Sequence, residues 1–212
     1  MSTHAAAPRE STEYSIDAAA IAIARRGGVL IFPTETIYGL GCDATNAFAV
    51  ERVFAIKGRA PDKPPPVLVA NEEQLQRLVA DVSNMARELM REHWPGALTL
   101  VLPARDDLCS LLTGRDERGG PTIAVRRSAH PMAQALCEAT DAPLVATSCN
   151  RAGATGNAAN PRALQEIDSQ LKNAVDYTLD GGVAGGRSST IVDCTDSVAR
   201  LLRAGAVAWP PR

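Results

Sequence analysis

The β-favouring apolar runs of this chain are short, and they lie between segments patterned as helices. Runs at 29–32, 67–70, 97–102, 121–126 and 143–146 have the length of single strands, not of membrane spans or core helices. Between them, 15–26 carries polar residues, an Ala/Ile-rich middle and a Gly27-Gly28 stop, which predicts a helix. Residues 46–57 open on a capping Asn46 and repeat Phe, Val and Ile at helical spacing. Helical patterns recur over 71–80, 83–93 and 130–139, and Trp94-Pro95-Gly96 reads as a turn. Towards the end come β-type fragments at 175–179, in SSTIVD, in VARLLR and in AVAW. Strands alternating with helices, followed by hairpin-like strands, predict an α/β fold: a twisted mixed parallel/antiparallel sheet with flanking helices.

In such sheets, catalytic groups sit on loops that leave strand ends. After the first strand comes Pro33-Thr34-Glu35-Thr36-Ile37-Tyr38-Gly39-Leu40-Gly41, hydroxyls and a carboxylate with two glycines. By itself such a segment equally suits an ordinary strand-to-helix turn. Lys57-Gly58-Arg59 and Lys63 place cations at a helix end and on a loop stiffened by Pro61, Pro64, Pro65 and Pro66. Cations there also suit the helix dipole, but a rigid loop carrying several suits a polyanion. Thr122 to Arg126 forms a strand with arginine at its outgoing end, and Thr147-Ser148-Cys149-Asn150 offers neutral donors and acceptors after another strand. Ser188-Ser189-Thr190 and Leu201-Leu202-Arg203-Ala204-Gly205 complete the set.

Bulk composition narrows the function classes. The formal charge is −2, so a phosphate polymer gains no general attraction and any anion site must be local. Aromatics at 4% and the lack of interleaved basic and aromatic residues argue against a single-strand nucleic-acid platform. No apolar run approaches the roughly 20 residues of a membrane helix, and 1–14 reads as a loose polar tail with no secretion signal, so a cytoplasmic protein with no membrane contact is expected. Five scattered cysteines suit reduced core filler better than disulfides or zinc.

Taken in order, PTETIYGLG, KGR with a following KP, WPGALTLVL, TIAVR, the His130-Pro131 pair, SCN, SSTIVD and LLRAG closely resemble the threonylcarbamoyl-AMP synthase family, whose domain is called YrdC-like. The resemblance runs over 15–207, leaving 208–212 as a short C-terminal tail. It implies that the sheet encloses a deep positive cavity. In it Thr36, Arg126, Ser148 and Ser189 would hold L-threonine, and Arg59, Lys63, Thr122, Asn150 and Arg203 would hold ATP. Lys57 would lie close to both and, with Arg59, would be catalytic. The implied reaction joins L-threonine, bicarbonate and ATP into threonylcarbamoyl-AMP and pyrophosphate, for t6A modification of tRNA at adenosine 37. Mg²⁺ would accompany ATP, with no dedicated protein metal site. A downstream tRNA threonylcarbamoyl transferase would be the partner, and tRNA binding by this chain itself would be weak.

Some positions depart from the family pattern: Cys149 replaces a small residue, Arg187 and Ser188 replace an apolar residue and Glu, and Leu68 stands where a polar group is common. Thr155 and Asn157 are further candidate ATP contacts in a loop without the usual pattern. Two other readings stay open: a paralogue that adenylates another carbamate or amino acid, and an RNA-binding module of the same fold.

Overall fold

A computed structural model describes residues 16–209. The tail expected over 1–14 lies outside the described residues, as do 210–212 at the other end. Helix α1 (Ala18–Arg25) starts on Asp17, whose carboxylate accepts from the Ala19 amide at 2.8 Å, and the chain leaves it through Gly27 at φ +81°. Strand β1 (Leu30–Phe32) is buried on both faces. Successive side chains point to opposite sides, so Val29 and Ile31 enter one core cluster while Leu30 and Phe32 enter another.

The next element overturns an expectation. Gly39–Gly41 forms strand β2, antiparallel to β1, so Pro33 to Tyr38 is the turn of a β-hairpin and not a passage from strand to helix. Glycine disfavours strands in general, which hid β2 in the sequence. Here the missing side chain is the requirement, because a Cβ on Gly41 would fall 1.6 Å from the Val145 carbonyl oxygen.

Helix α2 (Ala47–Lys57) is capped by Asn46, which accepts from the Ala49 amide at 3.1 Å, and is closed by Gly58 at φ +66°. Strand β3 (Val67–Leu68) and helices α3 (Glu72–Gln76) and α4 (Asn84–His93) follow. The helical pattern over 71–80 stops early because Leu78 and Val79 are drawn into the main core and the Ala80 amide donates to the Pro103 carbonyl at 2.9 Å. Strands β4 (Leu98–Pro103), β5 (Gly114–Arg115) and β6 (Pro121–Arg126) come next, with β5 arising from what reads as a plain surface loop. Helix α5 (Pro131–Thr140) carries proline in its first turn and uses His130 Nδ1 to accept from the Met132 amide at 3.2 Å.

Strands β7 (Leu144–Val145) and β8 (Thr147–Ser148), helix α6 (Ser169–Ala174), and strands β9 (Tyr177–Thr178), β10 (Thr190–Asp193) and β11 (Arg200–Arg203) complete the fold. The AVAW fragment is not a strand. Thr190 Oγ1 donates to the Val207 carbonyl at 2.6 Å and accepts from the Val207 amide at 3.0 Å, and a single backbone bond, from the Ala206 amide to the Ser188 carbonyl at 2.9 Å, joins the two segments in place of a ladder.

The fold class expected from sequence holds, although the strands divide between two mixed sheets. One has the order β11-β10-β4-β6-β3-β7, with β5 also on β6, and the other β8-β2-β1-β9. Pairs β4/β10 and β3/β6 of the larger sheet are parallel and alternate with antiparallel ones, and in the smaller sheet β1/β9 is parallel beside two antiparallel pairs. Between β7 and β8 the chain changes sheet at Ala146, whose amide donates to the Pro66 carbonyl at 2.9 Å. No helix among the described residues is long and apolar enough to cross a membrane.

Gly41→Ala is expected to destabilise the fold by about 3 kcal/mol or more, the cost of overpacking against a backbone atom that cannot yield. Urea denaturation of the two proteins measures it, and Gly58→Ala, at a position with open space but a positive φ, should cost only about 1 kcal/mol.

Candidate functional site

The hairpin turn supplies one wall of a cavity. Thr34 Oγ1 lies 2.8 Å from Thr36 Oγ1, donates to the Ile37 carbonyl at 2.7 Å and accepts from the amides of Thr36 and Ile37, so the turn is held by its own first hydroxyl. Thr36 is thereby aimed inward. Glu35 between them reaches across to the other sheet, where Oε1 accepts from Arg126 Nη1 and Oε2 accepts from Ser128 Oγ. Arg126 is 5% exposed, at the outgoing end of β6. Burial pulls its pKa down and the Glu35 carboxylate opposes that pull.

Strand β8, with Ala146 before it, forms a second wall, braced from behind. Lys57, the last residue of α2, is 5% exposed and donates from Nζ to Asn150 Oδ1 and to the Asn150 carbonyl, both at 2.8 Å, and to the carbonyl and hydroxyl of Ser148. Burial, helped by the Arg59 charge, lowers its pKa to about 8. Arg59 straps the proline loop to the same region, donating to Thr147 Oγ1 and the Pro64 carbonyl, each at 3.1 Å, and to the Lys63 carbonyl. The third wall comes from the chain end. Ser189 Oγ is 2.8 Å from Thr99 Oγ1, and Arg203 donates to the Ser189 carbonyl at 2.8 Å and 3.2 Å. Partial desolvation and the charge of Arg126 lower the Arg203 pKa.

Thr36, Arg59, Arg126, Ser148, Ser189 and Arg203 line one cavity of about 170 Å³. Three guanidiniums thus face one small space whose remaining polar groups are mostly hydroxyls. Arg203 also lines a wider groove of about 600 Å³, with Thr122 and Pro64 in its wall. The other expected site residues sit elsewhere. Lys57 and Asn150 do not line the cavity; they lie behind it, bonded to each other. Lys63 is exposed and engages Arg59 only through its carbonyl.

Leu68 is a core residue packed with Leu30, Phe32 and Leu136, so its departure from the family pattern leaves the cavity wall untouched. Arg187 is exposed, while its neighbour Ser188 donates to Asn160 Oδ1 at 3.0 Å across the cavity mouth. Thr155 is exposed and lies outside the cavity lining.

Glu35, Thr34, Ser128, Asn160 and Ser188 belong to the site or its support, and sequence reasoning had assigned them no role. Glu35 carried a signal, a lone carboxylate in a loop otherwise of hydroxyls. Asn160 carried none, because its place depends on how the loop at 151–160 folds back. The cysteines are all free; Cys149 is buried beside Lys57 with its thiol pushed up to about 12.

The model of the Sua5/YciO/YrdC family, described by the words telomere recombination, matches residues 22–205. This chain belongs to that family. It is 38% identical over 191 residues to the threonylcarbamoyl-AMP synthase of Bacillus subtilis, covering 90% of this chain and 53% of the relative. Against the enzyme of the same name from Idiomarina loihiensis it is 36% identical, over 77% of this chain and 84% of the relative. A structure of Pyrococcus abyssi Sua5 complexed with L-threonine superposes with a TM-score of 0.80 at 36% identity, covering 88% of this chain and 53% of that one. Escherichia coli YciO superposes at 0.78 with 30% identity, covering 91% and 90%. The chain therefore spans about half the length of some relatives and most of others.

Within this Sua5/YciO/YrdC domain, Lys57→Ala should lower stability by about 2–4 kcal/mol, because it strands buried oxygens that now share one ammonium. Arg59→Ala, on a half-buried and partly solvated strap, should cost about 1–2 kcal/mol. Denaturant midpoints of the two variants, at pH 7 and equal slopes, give the comparison. Equal losses would mean that Lys57 has no special part in holding the loop.

Proposed function

We propose that this chain is a threonylcarbamoyl-AMP synthase, a nucleotidyl-transferring enzyme that makes threonylcarbamoyl-AMP and pyrophosphate from L-threonine, bicarbonate and ATP for t6A modification of tRNA. The observation that carries this reading is the convergence of Thr36, Arg126, Ser148 and Ser189 with Arg59 and Arg203 around one small cavity, in a chain of the Sua5/YciO/YrdC family. The threonylcarbamoyl-AMP synthases among its relatives, and the L-threonine bound to Pyrococcus abyssi Sua5, support this substrate class.

Ligand pockets for drug-sized molecules run to about 300–1,000 Å³. A cavity of about 170 Å³ suits an amino acid and is too small for a triphosphate nucleotide as well. ATP would therefore extend past Arg203 into the 600 Å³ groove, where Thr122 stands. Arg126 takes the threonine carboxylate with guanidinium nitrogens that Glu35 does not occupy, and Thr36, Ser148 and Ser189 read the hydroxyl. Arg59 and Arg203 neutralise phosphate charge.

The threonine nitrogen forms a bond to the carbon of bicarbonate-derived CO₂, giving a carbamate. A carbamate oxygen then bonds to the α-phosphorus while the bond from that phosphorus to the bridging oxygen breaks, and pyrophosphate leaves. Orientation and charge neutralisation supply the rate, since nucleotidyl transfer asks little covalent help of the protein. Among the described residues no three His, Cys, Asp or Glu side chains cluster to hold a metal. Mg²⁺ would arrive on the phosphates of ATP. A transferase acting on tRNA would consume the adenylate.

Release of pyrophosphate in the presence of bicarbonate and each amino acid in turn tests the reading. Threonine should be best and serine second by roughly 10–200-fold, the worth of one methyl-sized contact. Valine should be nearly inactive, since it leaves the hydroxyl partners unpaired in the cavity. Valine matching serine would favour a paralogue acting on another amino acid. Cys149→Ala should keep near wild-type turnover, because a thiol at about 12 is not a nucleophile at neutral pH; loss of turnover in a folded Cys149→Ala protein would call for a covalent mechanism.

A further inference from the structure

A second cavity, of about 230 Å³, lies behind the anion side of the functional cavity. Arg126 is the last residue of β6 and Arg127 follows it directly, and neighbours in extended chain face opposite ways. Arg126 enters the cavity described above, and Arg127 enters this one. The backbone between the two is pinned: the Arg126 carbonyl accepts from the Val69 amide at 3.0 Å and the Arg127 carbonyl from the Gly96 amide at 2.8 Å.

Val69, Leu75, Met90 and Trp94 supply apolar walls, and the indole nitrogen of Trp94 is already spent on the Leu98 carbonyl at 2.7 Å. Two guanidiniums, Arg91 and Arg127, face the space, and among the described residues neither has an ion-pair partner. The Nε of Arg127 is buried with no hydrogen-bond acceptor. Buried donors normally find a partner, so this Nε is available to an acceptor that enters the space. Glu72 also lines the space, with its carboxylate 3.7 Å from Arg87 outside it; the lining by itself carries two arginines less one carboxylate, or +1. That balance fits a monoanion better than a dianion.

Size sets the rest of the ligand. An apolar cavity of about 150 Å³ holds a benzene ring, so this one has room for a ring and a carboxylate. A flat ring also stacks on guanidinium and indole faces. We propose that this pocket is a second ligand site, for a small aromatic monocarboxylate whose carboxylate bonds Arg127 and Arg91 and whose ring lies against Met90 and Trp94.

The test uses the whole protein, with benzoate as probe, toluene as the uncharged control and phenyl phosphate as the dianion. Heteronuclear NMR titration should show saturable one-to-one benzoate binding, with shifts centred on Leu75, Met90 and Trp94. Toluene and phenyl phosphate should bind several-fold more weakly. Arg127→Ala should weaken benzoate by about tenfold to a hundredfold, the loss expected for one charge-assisted hydrogen bond. Arg91→Ala, on an exposed helical position, keeps the test open if Arg127→Ala does not fold, and should weaken benzoate by a few-fold. Toluene binding as well as benzoate, tighter binding of phenyl phosphate, unchanged affinity in both variants, or shifts confined to the Arg126 cavity would each overturn the proposal.

Discussion

Arg126 and Glu35 form an ion pair between the two sheets, one from the end of β6 and the other from the β1–β2 hairpin turn. An arginine this buried is tolerable only with its charge answered, since an unpaired charge in such a place costs several kcal/mol. The pair therefore does two things at once. It clamps the hairpin turn against the larger sheet, and it holds one guanidinium nitrogen while leaving the group at the cavity edge. The walls contributed by Thr36 and by β6 keep their separation because of this contact.

Lys57 does the matching work on the other side. Its ammonium gathers oxygens of Ser148 and Asn150, and the loop that follows the change of sheet at Ala146 is fixed to the end of α2. The charge of Lys57 is in this way spent on fixing that loop. Arg59 and Arg203 also bond backbone carbonyls while facing the cavity. Positive residues that are already oriented by the protein need little reorganisation when an anion arrives, which is the condition under which electrostatic stabilisation is most effective.

The division between cavity and groove gives the arginines different tasks. The smaller space is bounded by hydroxyls and suits a compact amino acid, whereas the groove lies over the strands β5, β6, β10 and β11 and is open along one side. Arg203 stands at their junction, lining both. Its neighbours on β11 are exposed, so its guanidinium owes its direction to the Ser189 carbonyl more than to packing.

The sequence by itself determined the α/β class, most of the helices and the loops that carry chemistry, because these rest on local causes. Asn46 caps a helix and Gly58 ends it, an apolar run of strand length is buried whichever neighbour it finds, and arginine at a strand end is polar wherever that strand lies. Thr36, Arg126, Ser148 and Ser189, spread over more than a hundred residues, were legible as one group only through the resemblance to a family. Tertiary structure decided what depends on distant partners. Strand β2 exists because glycine lets it lie against Val145, and β5 exists because β6 offers a free edge. That Lys57 braces the wall became legible only in three dimensions, where its buried ammonium donates to oxygens of Ser148 and Asn150. Glu35 acquired a role only when Arg126, remote in the chain, was brought to its carboxylate; pairing of that kind has no local signature to read.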